Sequence, residues 1–234
     1  MRSKIITALL LSISIMAFSS ASDAQKNKGK ELKSAVDRVD KASIVIDEVM
    51  KVAEKSIPRD LLQKAKAIIV FPGALKAAFI IGGQGGKGVA IRRTETGWSA
   101  PAFLNMAGGS FGAQIGGQKT DYVLLIMNDK GISNLLQDKF EIGGEGSVSA
   151  GPVGRTASAS TNVTMDAEIL SYSRSKGLFA GIALKGVVIS QDQDMNQAVY
   201  EKSAAQILGN PPLAASEAPA TLRKFSETVA DYVK

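Results

Sequence analysis

The chain of 234 residues contains no histidine and no cysteine. Without histidine there is no Ser-His-Asp triad, and without either residue nearly every zinc or redox centre is excluded. Any catalysis would fall to carboxylates, Lys, Ser or Tyr. The lack of cysteine also removes disulfides and the lipid-bearing cysteine of a bacterial lipoprotein, so stability rests on packing and hydrogen bonds. Aromatic residues make up only 6% and are not interleaved with the basic ones. That argues against a nucleic-acid partner. Long apolar runs are missing too: Ile5 to Phe18 gives about 14 residues, short of the roughly 20 that a membrane-crossing helix needs.

That short run has its own meaning. Arg2 and Lys4 precede it and Ser22-Asp23-Ala24 follows it. Positive, apolar and small segments in that order form the export signature. Residues 1–24 are therefore expected to be a cleavable signal peptide and 25–234 a single domain, exported to the periplasm or cell envelope and peripheral on a membrane. About 210 residues can bury a sizeable core as one domain. Losing Arg2, Lys4 and Asp23 would bring the formal charge from +6 to +5, a mild excess that suits an anionic surface. Only Lys26, Lys28, Lys30 and Lys33 form a locally basic segment.

Residues 29–55 read as one long helix. Leu32, Val36, Val39, Ser43, Ile46, Met50, Ala53 and Ile57 recur in steps of three and four and so share a face. Pro58 and Asp60 mark a second short helix, 58–66. The pattern then changes to short strand-like runs, at 67–71, 76–82, 88–94, 97–104, 109–116, 120–127, 146–153, 163–174 and 178–190. Eleven of the 23 glycines lie between Gly82 and Gly117, which points to turns, bulges and strong curvature. Most gaps between strands are too short for a crossover helix, so the sheet is antiparallel. Helices are expected again at 129–138, 195–208 and 219–233. The fold class is α+β: a glycine-rich antiparallel β barrel or closed sandwich of about eight to nine short strands, with helices at the N- and C-terminal ends.

Motifs that would carry chemistry fail on inspection. Gly83-Gln84-Gly85-Gly86-Lys87-Gly88 matches G-x-G-x-x-G, but a strand follows it instead of the helix that would hold a phosphate. Asp192, Asp194 and Asn196 alternate like the start of a calcium loop, yet Gln197 and Ser203 stand where Gly and Glu are required. These residues suit a helix cap. Asp121, Glu141, Glu145, Asp166 and Glu168 are scattered acids that no spacing pairs. The sequence therefore names no catalytic, cofactor or metal residues.

Several ordered stretches resemble the SYLF domain family. They are Ile57-Pro58 with Leu61-Leu62, then Ala65 to Pro72, then Gly82-Gly83 with Gly85 and Gly88, and Trp98 to Pro101. Further on come Gly112 to Gly116, Gly151 to Gly154, Tyr172, Ser175, Gly177 to Gly181, and Asn196 with Tyr200. The resemblance spans roughly residues 32–208. It implies non-catalytic binding of membrane lipid, which in eukaryotic relatives is phosphoinositide, with actin binding in some members. Family members are associated with membrane contact through an N-terminal amphipathic helix and basic residues, here the 29–55 helix and its lysine-rich lead. In an exported protein, actin is an unexpected partner, and acidic phospholipid is the safer transfer.

The expected basic surface is Lys26, Lys28, Lys30 and Lys33, extended by Lys51, Lys55, Arg59 and Lys64. Each lysine near an anionic surface contributes ~1 kcal/mol. Arg92 and Arg93 are adjacent on a strand and point to opposite faces. Other readings are an apolar ligand inside the curled sheet, a structural or interaction protein of the bacterial envelope, and, more remotely, a carboxylate-based hydrolase.

Overall fold

The computed structural model describes residues 28–52, 56–79, 81–110, 116–144, 147–154 and 167–233. The expected signal peptide, Lys26 and Lys55 lie outside these residues. Helix α1 covers 28–51 and buries Ala35, Val39, Ala42, Val45, Ile46, Val49 and Met50. Burying each larger apolar side chain contributes roughly 1.5–3 kcal/mol. The apolar stripe of α1 is therefore committed to the protein core. Helix α2 (Arg59–Lys64) follows, with Leu61 and Leu62 buried.

Among the described residues, ten strands form a curled half-barrel sheet. They are β1 (Ala67–Phe79), β2 (Ile81–Thr94), β3 (Gly97–Trp98), β4 (Ala102–Ser110), β5 (Gly116–Ile126), β6 (Lys139–Ile142), β7 (Val148–Ala150), β8 (Ile169–Ser175), β9 (Leu178–Gly181) and β10 (Val187–Gln191). Their order is β6-β10-β4-β2-β1-β5-β8-β7, with β3 on β2 and β9 on β8. Among the described residues every pairing is antiparallel except β7 with β8.

Both faces of the sheet's base are covered. Ile68, Val70, Val89, Ile91, Phe103, Val123, Leu125 and Tyr172 pack on one face with α1, α2 and the C-terminal helix α6 (Lys224–Val233). The alternate residues Ala67, Ile69, Phe71, Ala90, Leu104, Leu124 and Ile126 pack on the other. There they meet β6, β10, α3 (Asp129–Leu135) and α5 (Ala204–Ile207). Two-sided burial explains why 67–71 and 122–126 are continuous apolar runs instead of alternating ones.

The element boundaries differ from expectation where backbone devices intervene. The expected strands 67–71 and 76–82 join into one ladder because Gly73, at φ 61°, takes up a bulge between Phe71 and Ala74. The run 178–190 divides into β9 and β10 ahead of Gly186, at φ 68°. The helix expected at 195–208 divides into α4 (Gln193–Tyr200) and α5: Glu201 ends α4 in a left-handed conformation, and Ser203 with Gln206 forms a new capping box. Pro101 separates β3 from β4 within the run 97–104.

Candidate functional site

The exposed ridge of α1 reads Lys30, Lys33, Asp37, Lys41, Ile44, Glu48, Lys51 and Val52. Steps of three and four keep these residues on one side of the helix. Lys41 pairs with Asp37 at 2.6 Å in the open. Lys28 reaches Glu201 at 3.2 Å, both well exposed. Such surface pairs hold their partners weakly. Lys30, Lys33 and Lys51 carry no ion pair among the described residues.

Lys28 and Lys51 sit at opposite ends of α1, about 35 Å apart at 1.5 Å per residue. The basic lead and Lys51 are thus joined through the ridge between them. Arg59 and Lys64 are exposed on α2. Arg59 lies near Tyr232, whose hydroxyl donates to Asp47 at 3.0 Å. Burial and Asp47 raise the Tyr232 pKa, and Arg59 opposes them.

Where the ridge meets the sheet, Arg174 on β8 is gripped by two carboxylates. Its Nη2 is 2.8 Å from Asp121 Oδ2 on the neighbouring β5, and its Nη1 pairs with Glu48 on α1. The other Asp121 oxygen accepts from the Gly73 amide at 2.7 Å. The bulge, the sheet and the helix are therefore tied at one point. Burial alone would lower the Arg174 pKa, but Asp121 and Glu48 outweigh it and raise it. Arg174 is also the wall between two surface clefts. One, of about 300 Å³, is lined by Lys41, Ile44, Pro72 and Lys119. The other, of about 400 Å³, is lined by Lys51, Val52, Gly177 and Phe179.

Other cations are spent on structure. Arg92 Nη1 donates to the carbonyls of Leu208 (2.8 Å) and Gly209 (2.6 Å). From the opposite face Arg93 donates to Ala65 (2.9 Å) and Leu62 (2.8 Å) at the end of α2, with its guanidinium 4.2 Å from the Trp98 ring. Both remain half-exposed and line a surface cleft of about 550 Å³ with Glu95 and Pro211. The scattered acids do not converge either. Asp121 holds Arg174, Glu168 holds Lys130 at 2.6 Å, and Glu141 is exposed. Glu145 and Asp166 lie outside the described residues. The glycine-rich motif at 83–88 lies within β2.

A buried polar knot went unnoticed in the sequence. Arg38, at 4% exposure on the packed side of α1, bonds Asp192 at 2.9 Å. Asp192 also caps α4, accepting from the Met195 amide. Asn196, fully buried, accepts from the Phe103 amide and donates to its carbonyl, both at 2.8 Å. Arg38 lies over the Phe103 ring, which stacks on Tyr200. Asp192 and Asn196 were visible in the sequence as cap residues, but Arg38 was marked only by its place beside an apolar stripe.

The sequence of the chain has known relatives. A family model described as "Ysc84: Las17-binding protein actin regulator" matches residues 107–232, more than half of the chain. The chain belongs to this family. The SYLF resemblance noted at Tyr172, Asn196 and Tyr200 falls inside the matched span, and the SYLF and Ysc84 descriptions are of one family. Among curated relatives, "LAS seventeen-binding protein 3" of Saccharomyces cerevisiae is 36% identical over 152 residues, which is 63% of this chain and 33% of the relative. "SH3 domain-containing YSC84-like protein 1" of Rattus norvegicus is 32% identical over 149 residues, 63% of this chain and 44% of the relative. The human protein of that name is 30% identical over 149 residues, with 43% of it covered. The SYLF chain thus spans between a third and a half of the length of these relatives.

Proposed function

We propose that the protein is an exported, non-catalytic SYLF domain of the cell envelope that rests peripherally on an anionic lipid surface. The observation that carries this reading is the division of labour on α1. Most of its apolar stripe is consumed by the core, so what it offers outward is a ridge in which Lys30, Lys33, Lys41 and Lys51 outnumber Asp37 and Glu48, with Ile44 and Val52 between them. The contact is accordingly electrostatic, and it supports acidic phospholipid as a class without selecting one headgroup. The signature at residues 1–24 supports export. The reading of an apolar ligand within the sheet has less support, because side chains buried to 5% exposure or less fill the inner rows.

Vesicle co-sedimentation tests the proposal. The protein is expected to bind phosphatidylcholine vesicles only when phosphatidylglycerol is included, and to be released as salt screens the surface. Reversing Lys30 and Lys33 to Glu is expected to weaken binding by roughly fivefold or more per site, from ~1 kcal/mol per lysine. Equal binding to neutral vesicles, or none to either, would overturn it.

A protein partner is the second reading, favoured by the name of one relative, "LAS seventeen-binding protein 3", and by the family's description as a Las17-binding actin regulator. The same ridge would then meet an acidic protein surface. Co-sedimentation with filamentous actin separates the two readings, since a lipid-only domain leaves the filaments alone.

A further inference from the structure

The sheet face beside α1 carries a row of side chains that runs across the strands. Asp121 on β5 pairs in register with Arg174 on β8, and Arg174 pairs with Phe179 on β9. Directly paired residues share a face. Neighbouring strands lie about 4.8 Å apart, so the row is roughly 10 Å long. Ile44 of α1 lines the cleft at the Asp121 end, and Val52 lines the cleft at the Phe179 end. From 44 to 52 the helical rise is about 12 Å. The two lengths agree, so α1 lies along the row. Lys41, Val45, Glu48 and Val52 recur in steps of four and three, so both clefts open on one side of the helix. They are two halves of one groove, parted by Arg174.

Apolarity and charge say what fits there. Ile44 is 49% and Val52 50% exposed, so a partner that covers them gains apolar burial at both ends of the groove. The two carboxylates in the groove, Glu48 and Asp121, are both spent on Arg174. The cations at its rim are not. Lys51 and Lys119 are exposed and carry no ion pair among the described residues, and Lys41 holds only the exposed Asp37. The groove therefore offers two apolar footholds about 12 Å apart inside a positive rim. An extended chain covers that distance in about four residues, and residues four apart lie on one face of it. Between the footholds stands the charged wall of Arg174, Asp121 and Glu48. Hydrocarbon laid across that wall would desolvate it without return. A peptide main chain brings amides and carbonyls to meet it.

We propose that this groove binds an extended acidic segment of another protein. Two apolar side chains, four positions apart, fill the clefts beside Ile44 and Val52, and carboxylates of the segment meet Lys41, Lys51 and Lys119. The proposal rests on the protein-partner reading above and names its surface and ligand. It is independent of the lipid reading, since a headgroup contact needs the lysines alone.

Fluorescence anisotropy tests it, with a fluorescein-labelled synthetic peptide in which two leucines, four positions apart, are flanked by aspartates. Titration with the full chain is expected to raise the anisotropy to saturation, and salt is expected to weaken the binding. Replacing both leucines of the peptide by serine is expected to weaken it at least about tenfold. Ile44→Ser with Val52→Ser, at half-exposed positions, is expected to do the same while melting and binding to phosphatidylcholine/phosphatidylglycerol vesicles stay unchanged. Lys119→Glu, on an exposed side chain of β5, should weaken the peptide about fivefold, and it carries the test if the double variant melts early. If the leucine-free peptide binds as tightly as the first, the acidic-protein reading stands and the groove is wrong. Full affinity in both the double variant and Lys119→Glu would also overturn the groove. If neither peptide binds, the groove and the acidic-protein reading fall together. Loss of vesicle binding by the double variant, with no response to the peptide, would assign this face to lipid and overturn the proposal.

Discussion

A methyl group added at Gly88 would lie 2.6 Å from the Val70 carbonyl oxygen and strike the Phe71 ring; one added at Gly109, on the adjacent strand, would meet nothing within 4 Å. Both glycines belong to the same four-stranded stretch of sheet. At its base, glycine makes room for two layers of side chains that pack on opposite faces. At its far end, glycine leaves the backbone bare. One residue type thus serves packing in one region and access in the other, and glycine content by itself does not tell a structural strand from a presented one.

The harshest way to break the base is to remove its buried cation. Arg38→Ala strands the Asp192 carboxylate and should cost about 3–5 kcal/mol, read as a lowered urea midpoint; a loss within 0.5 kcal/mol would mean that the knot is not a fixed part of the base. Gly88→Ala forces β2 away from Phe71 and should destabilise by about 1–3 kcal/mol. The alkaline limb tests burial directly. Tyr172 and the hydroxyl of the half-buried Tyr200 are out of water, and burial raises both phenol pKa values. The folded state therefore holds these protons more tightly than the unfolded chain. Stability should be complete below about pH 10 and fall as the pH rises above it, which melting curves would show. Tyr172→Phe removes a hydroxyl with no partner among the described residues. It should change neutral stability by less than about 1 kcal/mol while softening the alkaline fall. Gly109→Ala should be the quietest, within about 0.5 kcal/mol and in the stabilising direction if the far end is open. Equal costs at Gly88 and Gly109 would erase the distinction between the two regions.

Much of this architecture could be read from the residues, and the reasons are local. The three-and-four spacing on α1 is set within one helix, so its packed side was visible from Val39 to Met50. The apolar runs at 67–71 and 120–127 were visible as strands, while the burial of both their faces showed only in the packing. Asp192 was legible as a cap because its target, Met195, is three residues away. What escaped depends on distant partners. Arg38 meets Asp192 across 154 positions, and Arg174 meets Glu48 from the other half of the chain. Nothing near Arg92 or Arg93 in sequence shows that carbonyls at 208, 209, 62 and 65 will absorb them. Pro72-Gly73 looked like a strand end because a turn and a bulge share the same residues. Of the basic surface, the exposed positions Lys30, Lys33, Lys51, Arg59 and Lys64 followed from composition. That α1 would set the lead about 35 Å from Lys51, with Arg59 and Lys64 on the separate helix α2, required the helix to be laid out in space.

The strand order carries one more consequence, in time instead of space. Strand β10 lies between β4 and β6, although it comes after β7, β8 and β9 in the chain. The slot between residues 102–110 and 139–142 stays open until residues 187–191 arrive to fill it. Asp192 and Asn196, which fasten α1 and β4, come immediately afterwards. Folding of the base therefore waits for nearly the whole polypeptide, the high-contact-order regime in which chains fold slowly. A ribosome or a transport machine handling this chain would meet an incomplete sheet with two unpaired edges until its last fifth emerges.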